Sequence, residues 1–152
     1  MMEEKKDRKQ RMMLIGRSQA GKTTLCQRIN NEDLRYHKTQ TVQIINKNII
    51  DTPGEYLERF SMRGALIVTS TDADVIVLVQ DATESGTMFP PLFNSMFTKP
   101  VVGVVTKCDI ADEGQIARAE KYLRAAGTKE IFFTSSVTGE GVDKLVERLQ
   151  IL

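Results

Sequence analysis

Residues 16–24 read GRSQAGKTT and follow directly on the apolar run Met12-Met13-Leu14-Ile15. Two glycines five residues apart, a lysine after the second and two hydroxyls after the lysine suit one task, the holding of a phosphate chain. Gly16 and Gly21 let the backbone turn tightly, so that Ser18, Gln19 and Ala20 can aim their N–H groups inward. A helix opening at Gly21 adds the positive end of its dipole. Lys22 is placed to bridge the β- and γ-phosphates, and Thr23 to offer a hydroxyl to Mg2+. Thr24 completes the set expected to touch the nucleotide. The segment matches the P-loop pattern in full.

Three further segments follow in order. Asp51-Thr52-Pro53-Gly54 comes after a short apolar stretch. An Asp at a strand end holds Mg2+ through water, and Gly54 lets its N–H reach a γ-phosphate. Asp, Pro and Gly are also ordinary turn residues, so the position downstream of the P-loop is what gives this tetrapeptide weight. Thr106-Lys107-Cys108-Asp109 closes the apolar run 101–105. A carboxylate accepts two N–H bonds from one base edge. Guanine offers N1–H and its 2-amino group side by side, and adenine offers no such pair. The aliphatic stem of Lys107 can cover the base plane. Thr134-Ser135-Ser136-Val137 then brings a backbone N–H toward the base oxygen O6. This last element is the least specific, because hydroxyl-rich turns also cap helices.

These residues need strands and helices to place them, and the pattern supplies both. Apolar runs at 12–15, 40–45, 48–50, 74–80, 101–106 and 131–134 read as strands, the second and third as a hairpin across Asn46-Lys47-Asn48. Helical patterns fall at 22–30, 56–69, 88–97 and 113–126. The 88–97 segment carries Pro near its start and a Phe89, Phe93, Phe97 stripe read as core. A final helix repeats Val142, Leu145, Val146 and Leu149 at i, i+3, i+4 and i+7. The alternation predicts an α/β fold of three layers. Its sheet has about six strands, mostly parallel with one antiparallel, and helices cover both faces. Ligands in such sheets sit beyond the carboxyl ends of the strands, where all four segments fall.

At 152 residues the chain suits one domain, read as 12–152 behind a charged leader, 1–11, expected to be disordered. The leader carries +2 and the whole chain +1, which argues against a broad nucleic-acid surface. No apolar run approaches the length of a membrane span, and the leader has no secretory h-region. Cys26 and Cys108 stand far apart in unrelated contexts, which fits thiols in a reducing cytosol. His37, the single histidine, is read as an exposed loop imidazole.

With the four segments in this order, the chain resembles the Ras-like, translation-factor-related P-loop GTPases over about residues 12–150. More narrowly, DTPGEY, TKCD and TSSVTGEGVDKL look like the family of ethanolamine-utilization protein P and propanediol-utilization protein V. The resemblance implies GTP or GDP with Mg2+ as ligands, held by Gly16, Gly21, Lys22 and Thr23. Asp51 and Gly54 would sense the γ-phosphate. Thr106, Lys107 and Asp109 would hold guanine, with Ser135 and Ser136 closing over it and Val137 beside them. Thr39 and Thr41 are both available as the switch hydroxyl on Mg2+, and Thr41, directly before the strand, is favoured. The implied metal set is Thr23, Thr41 and Asp51, and the implied catalytic set Lys22, Thr41 and Glu55. A cytoplasmic protein is implied, with microcompartment shell or enzyme proteins as partners.

Three departures bear on catalysis. Glu55 stands where such GTPases carry Gln or His to orient water, and a carboxylate there faces phosphate charge. Ser18 replaces a common Gly and would crowd an inserted arginine finger. The 31–38 segment is short for a switch. Slow GTP hydrolysis is therefore expected. Two alternatives stay open: ATP-dependent phosphoryl transfer to acetate, and a non-catalytic nucleotide-binding interaction module.

Overall fold

The computed structural model describes residues 10–29, 43–45 and 48–149. Residues 1–9, His37, Thr39, Thr41 and the 31–38 segment lie outside the described residues. The strands are β1 (Met12–Ile15), β2 (Gln43–Ile45), β3 (Ile49–Asp51), β4 (Val75–Asp81), β5 (Val101–Thr106) and β6 (Ile131–Phe133). They form one sheet in the order β2-β3-β1-β4-β5-β6, with β2 alone antiparallel. After β1 the chain crosses to the sheet edge as β2, comes back as β3 beside β1, and then builds β4, β5 and β6 outward on the other side. The strand order thus reverses beside β1, and the crevice at its carboxyl end is where this architecture binds ligands.

Alternation along β1 divides the core. Met12 and Leu14 face α1 (Lys22–Ile29) and the last helix, α5 (Val142–Leu149), in a cluster with Leu25, Ile29, Leu145 and Leu149. Met13 and Ile15 face the other way, toward Leu57, Leu66, Leu123 and the buried ring of Phe93. That second layer holds α2 (Glu55–Glu58), α3 (Arg63–Ser70) and α4 (Glu113–Ala125). Central strands covered on both faces need apolar side chains in both directions, which is why β1 and β4 read as unbroken apolar runs. α4 opens with a capping box, Asp112 accepting from Gln115 N–H at 2.7 Å while Gln115 accepts from Asp112 N–H at 3.0 Å.

Two expected helices are corrected. Residues 88–97 form no α-helix, only a 3-10 turn at Phe93–Met96. Pro90 and Pro91 are adjacent, so two N–H donors are missing and Pro90 is pushed out of the helical region. Leu92 then takes φ 60°, which breaks the run. Phe89, Phe93 and Phe97 are nevertheless buried, as expected, and their rings meet tilted and edge-on with centroids 5.4 and 5.7 Å apart. The 56–69 helix is split by Arg59, whose extended backbone separates α2 from a 3-10 turn and α3. Arg63 Nε donates to the carbonyl of Leu57 at 3.0 Å, satisfying a last-turn acceptor of α2 that the break deprives of its helical donor. Among the described residues no helix is long and apolar enough to cross a membrane.

The turn from β6 into α5 depends on Gly141. Its φ is +78°, and a Cβ there would collide with the carbonyl oxygen of Phe133. Gly141→Ala is expected to cost about 2 kcal/mol or more in a urea unfolding titration.

Candidate functional site

The glycine loop is built where β1 stops and α1 starts. Gln19 and Gly21 take φ 68° and 100°, turning the chain back over the strand end. Ala20 N–H donates to Arg17 O at 3.1 Å, and Leu25 N–H to Gly21 O at 2.9 Å begins the helical ladder. Lys22 is 6% exposed and its Nζ donates to Arg17 O at 3.2 Å. Burial pulls its pKa below the ordinary lysine value, with the charge of Asp51 opposing. Thr23 Oγ1 donates to Asp51 Oδ2 at 3.0 Å. A hydroxyl and a carboxylate converging at the foot of a phosphate cradle are hard oxygen donors of the kind Mg2+ takes. Among the described residues no group of three His, Cys, Asp or Glu could form an all-protein cage.

The segment after β3 closes over this loop. Thr52 Oγ1 donates to Leu14 O at 2.7 Å, fixing the 51–54 turn to β1. Gly54 lies so close to Ser18 that a Cβ would collide with the Ser18 nitrogen and come within 2.6 Å of Ser18 Oγ. Glu55 opens α2, and its carboxylate pairs loosely with Arg59 at 3.9 Å. One turn later, Glu58 Oε1 accepts from Ser18 N–H at 2.6 Å.

The segment 106–109 hangs on the same loop. Thr106 Oγ1 donates to Ala20 O at 2.6 Å, and Thr106 is buried against Gly21. Lys107, at φ 63°, donates from Nζ to Gln19 O at 3.1 Å and to Asp81 Oδ2 at 2.6 Å. Burial works against the charged form of Asp81, but bonds from Lys107 and Thr83 outweigh it and hold its pKa low. Cys108 turns inward, its Sγ 3.6 Å from Val105 O, and burial raises its pKa. Asp109 is exposed. Cys108 N–H donates to Thr134 O at 3.1 Å, so the TKCD and TSS segments stand side by side. Ser135 and Ser136 are buried, and Ser135 Oγ accepts from Thr138 N–H at 3.1 Å. Val137 and Ile110 are 64% and 69% exposed at the mouth between them.

The structure thus brings Gly16 through Thr24, Asp51, Gly54, Thr106, Lys107, Asp109 and Ser135 through Val137 to one end of the sheet. Sequence reasoning passed over Glu58, although a second glutamate three residues after Glu55 was visible. It also passed over Arg17 and Glu84, which pair at 2.6 Å. That hydrogen bond and the charge of Glu84 raise the pKa of Arg17 further.

Comparison with known proteins bears on this geometry. The family PduV-EutP, described as ethanolamine utilisation and propanediol utilisation, matches residues 9–151. The chain belongs to this family. The PduV-EutP relatives include the propanediol utilization protein PduV of Citrobacter freundii, 43% identical over 135 residues, covering 89% of each chain. Another, from Escherichia coli K12, is named "Probable acetate kinase EutP" and is 33% identical, covering 93% of this chain and 90% of its own. Among solved structures, a variant of S. thermophilus NFeoB bound to GDP.AlF4- superposes with a TM-score of 0.69 at 26% identity. The match spans 93% of this chain and 64% of that one. This PduV-EutP member therefore has the fold of the small P-loop GTPases.

The buried bond from Thr106 to Ala20 O is a sensitive point. Thr106→Val removes the donor and strands a carbonyl in the loop, at an expected cost of about 1–3 kcal/mol. Hydrogen exchange should show faster amides at residues 17–21, with those of β5 unchanged.

Proposed function

We infer that the chain binds guanine nucleotide with Mg2+ and hydrolyses GTP slowly. One observation supports this most directly. Lys107 reaches back to Gln19 O at 3.1 Å, so the segment ending in Asp109 is held at a fixed offset from the phosphate loop. A nucleotide lying across that offset has its tail at the α1 mouth and its purine edge at Asp109. A carboxylate there pairs with guanine and repels the acceptor N1 of adenine. Gly16–Gly21 amides and Lys22 would hold the phosphates, Thr23 and Asp51 the Mg2+, and Ser135 to Val137 the far edge of the base. When bound, Mg2+ neutralises charge on the phosphate oxygens. Glu55, at the position beside the γ-phosphate, is a poor orienter of water, and slow turnover follows. Family membership supports a role in propanediol or ethanolamine utilization. Work in the cytoplasm beside microcompartment proteins belongs to the same reading.

Calorimetric titration with GDP, GTP, ADP and ATP tests this. Guanine nucleotides should bind at least about a hundredfold tighter than adenine ones, and EDTA should weaken the binding. Asp109→Ala should cost about 1.5–3 kcal/mol for GDP, the range for a hydrogen-bonded charged group. Lys22→Ala should abolish phosphate release from GTP. Equal affinity for GDP and ADP would refute the guanine assignment. Binding with no release above the Lys22→Ala control would favour the non-catalytic module.

The name of the E. coli relative favours a second reading, phosphoryl transfer from ATP to acetate. A coupled assay with acetate and ATP decides it: acetyl phosphate above the Lys22→Ala control would establish it, and none would dismiss it.

A further inference from the structure

Glu58 accepts a backbone amide of the 16–21 loop, although Glu55 holds the place next to Gly54. Its Oε1 accepts the Ser18 N–H at 2.6 Å. The other nearby acids pair with side chains: Glu84 with Arg17 of the loop, Asp81 with Lys107, and Asp51 with Thr23. Burial disfavours the Glu58 anion, but the bonds from Ser18 and the charges of Arg17 and Lys22 outweigh it. The carboxylate therefore stays ionised at neutral pH. The close packing of Gly54 on Ser18 sets the start of α2 against the loop, and this brings Glu58 into reach.

A diphosphate and a triphosphate meet this group differently. On the nucleotide reading above, a β-phosphate would sit inside the loop and a γ-phosphate would extend toward Gly54 and Lys22, the side from which Glu58 approaches. Two anions would then compete for the same few donors and one ammonium. We propose that Glu58 sets the preference between di- and triphosphate: it holds the Ser18 amide while the γ position is vacant and is displaced when a γ-phosphate arrives. The carboxylate thus acts as a specificity-determining group that weakens triphosphate binding relative to diphosphate. This deepens the nucleotide assignment above and rests on it.

The test titrates the full chain with GDP and with non-hydrolysable GDPNP, both with Mg2+. Wild type is compared with Glu58→Gln and Glu58→Ala. Gln keeps the length and an acceptor for Ser18 N–H, so it isolates the charge. Both substitutions should lower the ratio of the GDPNP Kd to the GDP Kd by about tenfold. A purely structural residue would weaken both nucleotides together and leave the ratio where it was. An unchanged ratio in both variants, with GDP still bound, overturns the role of Glu58 and leaves the nucleotide assignment standing. Failure of wild type to bind either nucleotide overturns both.

Discussion

The backbone of residues 16–21 must stay turned over the end of β1, and the whole ligand end depends on that turn. A non-glycine residue at positive φ, Gln19 here, costs of order 1–3 kcal/mol and persists only where the surroundings hold it. The surroundings do so through carbonyls. Lys22 grips Arg17 O, Lys107 grips Gln19 O and Thr106 grips Ala20 O. With these oxygens pinned by side chains from inside and outside the loop, the peptide planes keep their orientation. Amide N–H groups then have a defined direction before any anion arrives, which is preorganisation of the kind that limits the entropic cost of binding.

Charge around the loop is partitioned in the same economical way. Arg17 and Lys107 are each matched by an acid from the segment that ends β4, Glu84 and Asp81. Lys22 is deeply buried behind the loop, with Asp51 opposing the effect of its burial. The positive character at the loop therefore comes from one lysine, the amides and the α1 dipole, and not from a broad positive surface. That agrees with a chain whose total charge is only +1.

Much of this was legible before any coordinates. β1, β4 and β5 are strands buried on both faces, and their unbroken apolar runs announce them. The four ligand-facing segments could be placed because each follows a strand, and strand ends meet on one side of a parallel sheet. Helix boundaries were less legible. The Pro90-Pro91 pair was taken as a helix start, but a second proline forces the first out of the helical region, and the phenylalanine spacing survived without the helix. Glu58 was missed because its approach to Ser18 depends on a backbone break at Arg59 and on a glycine contact, neither of which has a periodic signature. Glu55, by contrast, drew notice through its position alone.

The bond between Thr106 and Ala20 joins residues 86 apart in the chain. Such long-range closure forms late, since loop entropy must be overcome before the contact contributes. A nascent chain that has extruded β1, the glycine turn and α1 therefore carries a legible phosphate motif without the means to hold it in shape. Competence arrives only when β5 has docked beside β4. If the chain binds nucleotide as proposed, capture is a readout of completed folding, and copies truncated before β5 lack the bond that holds the loop in shape.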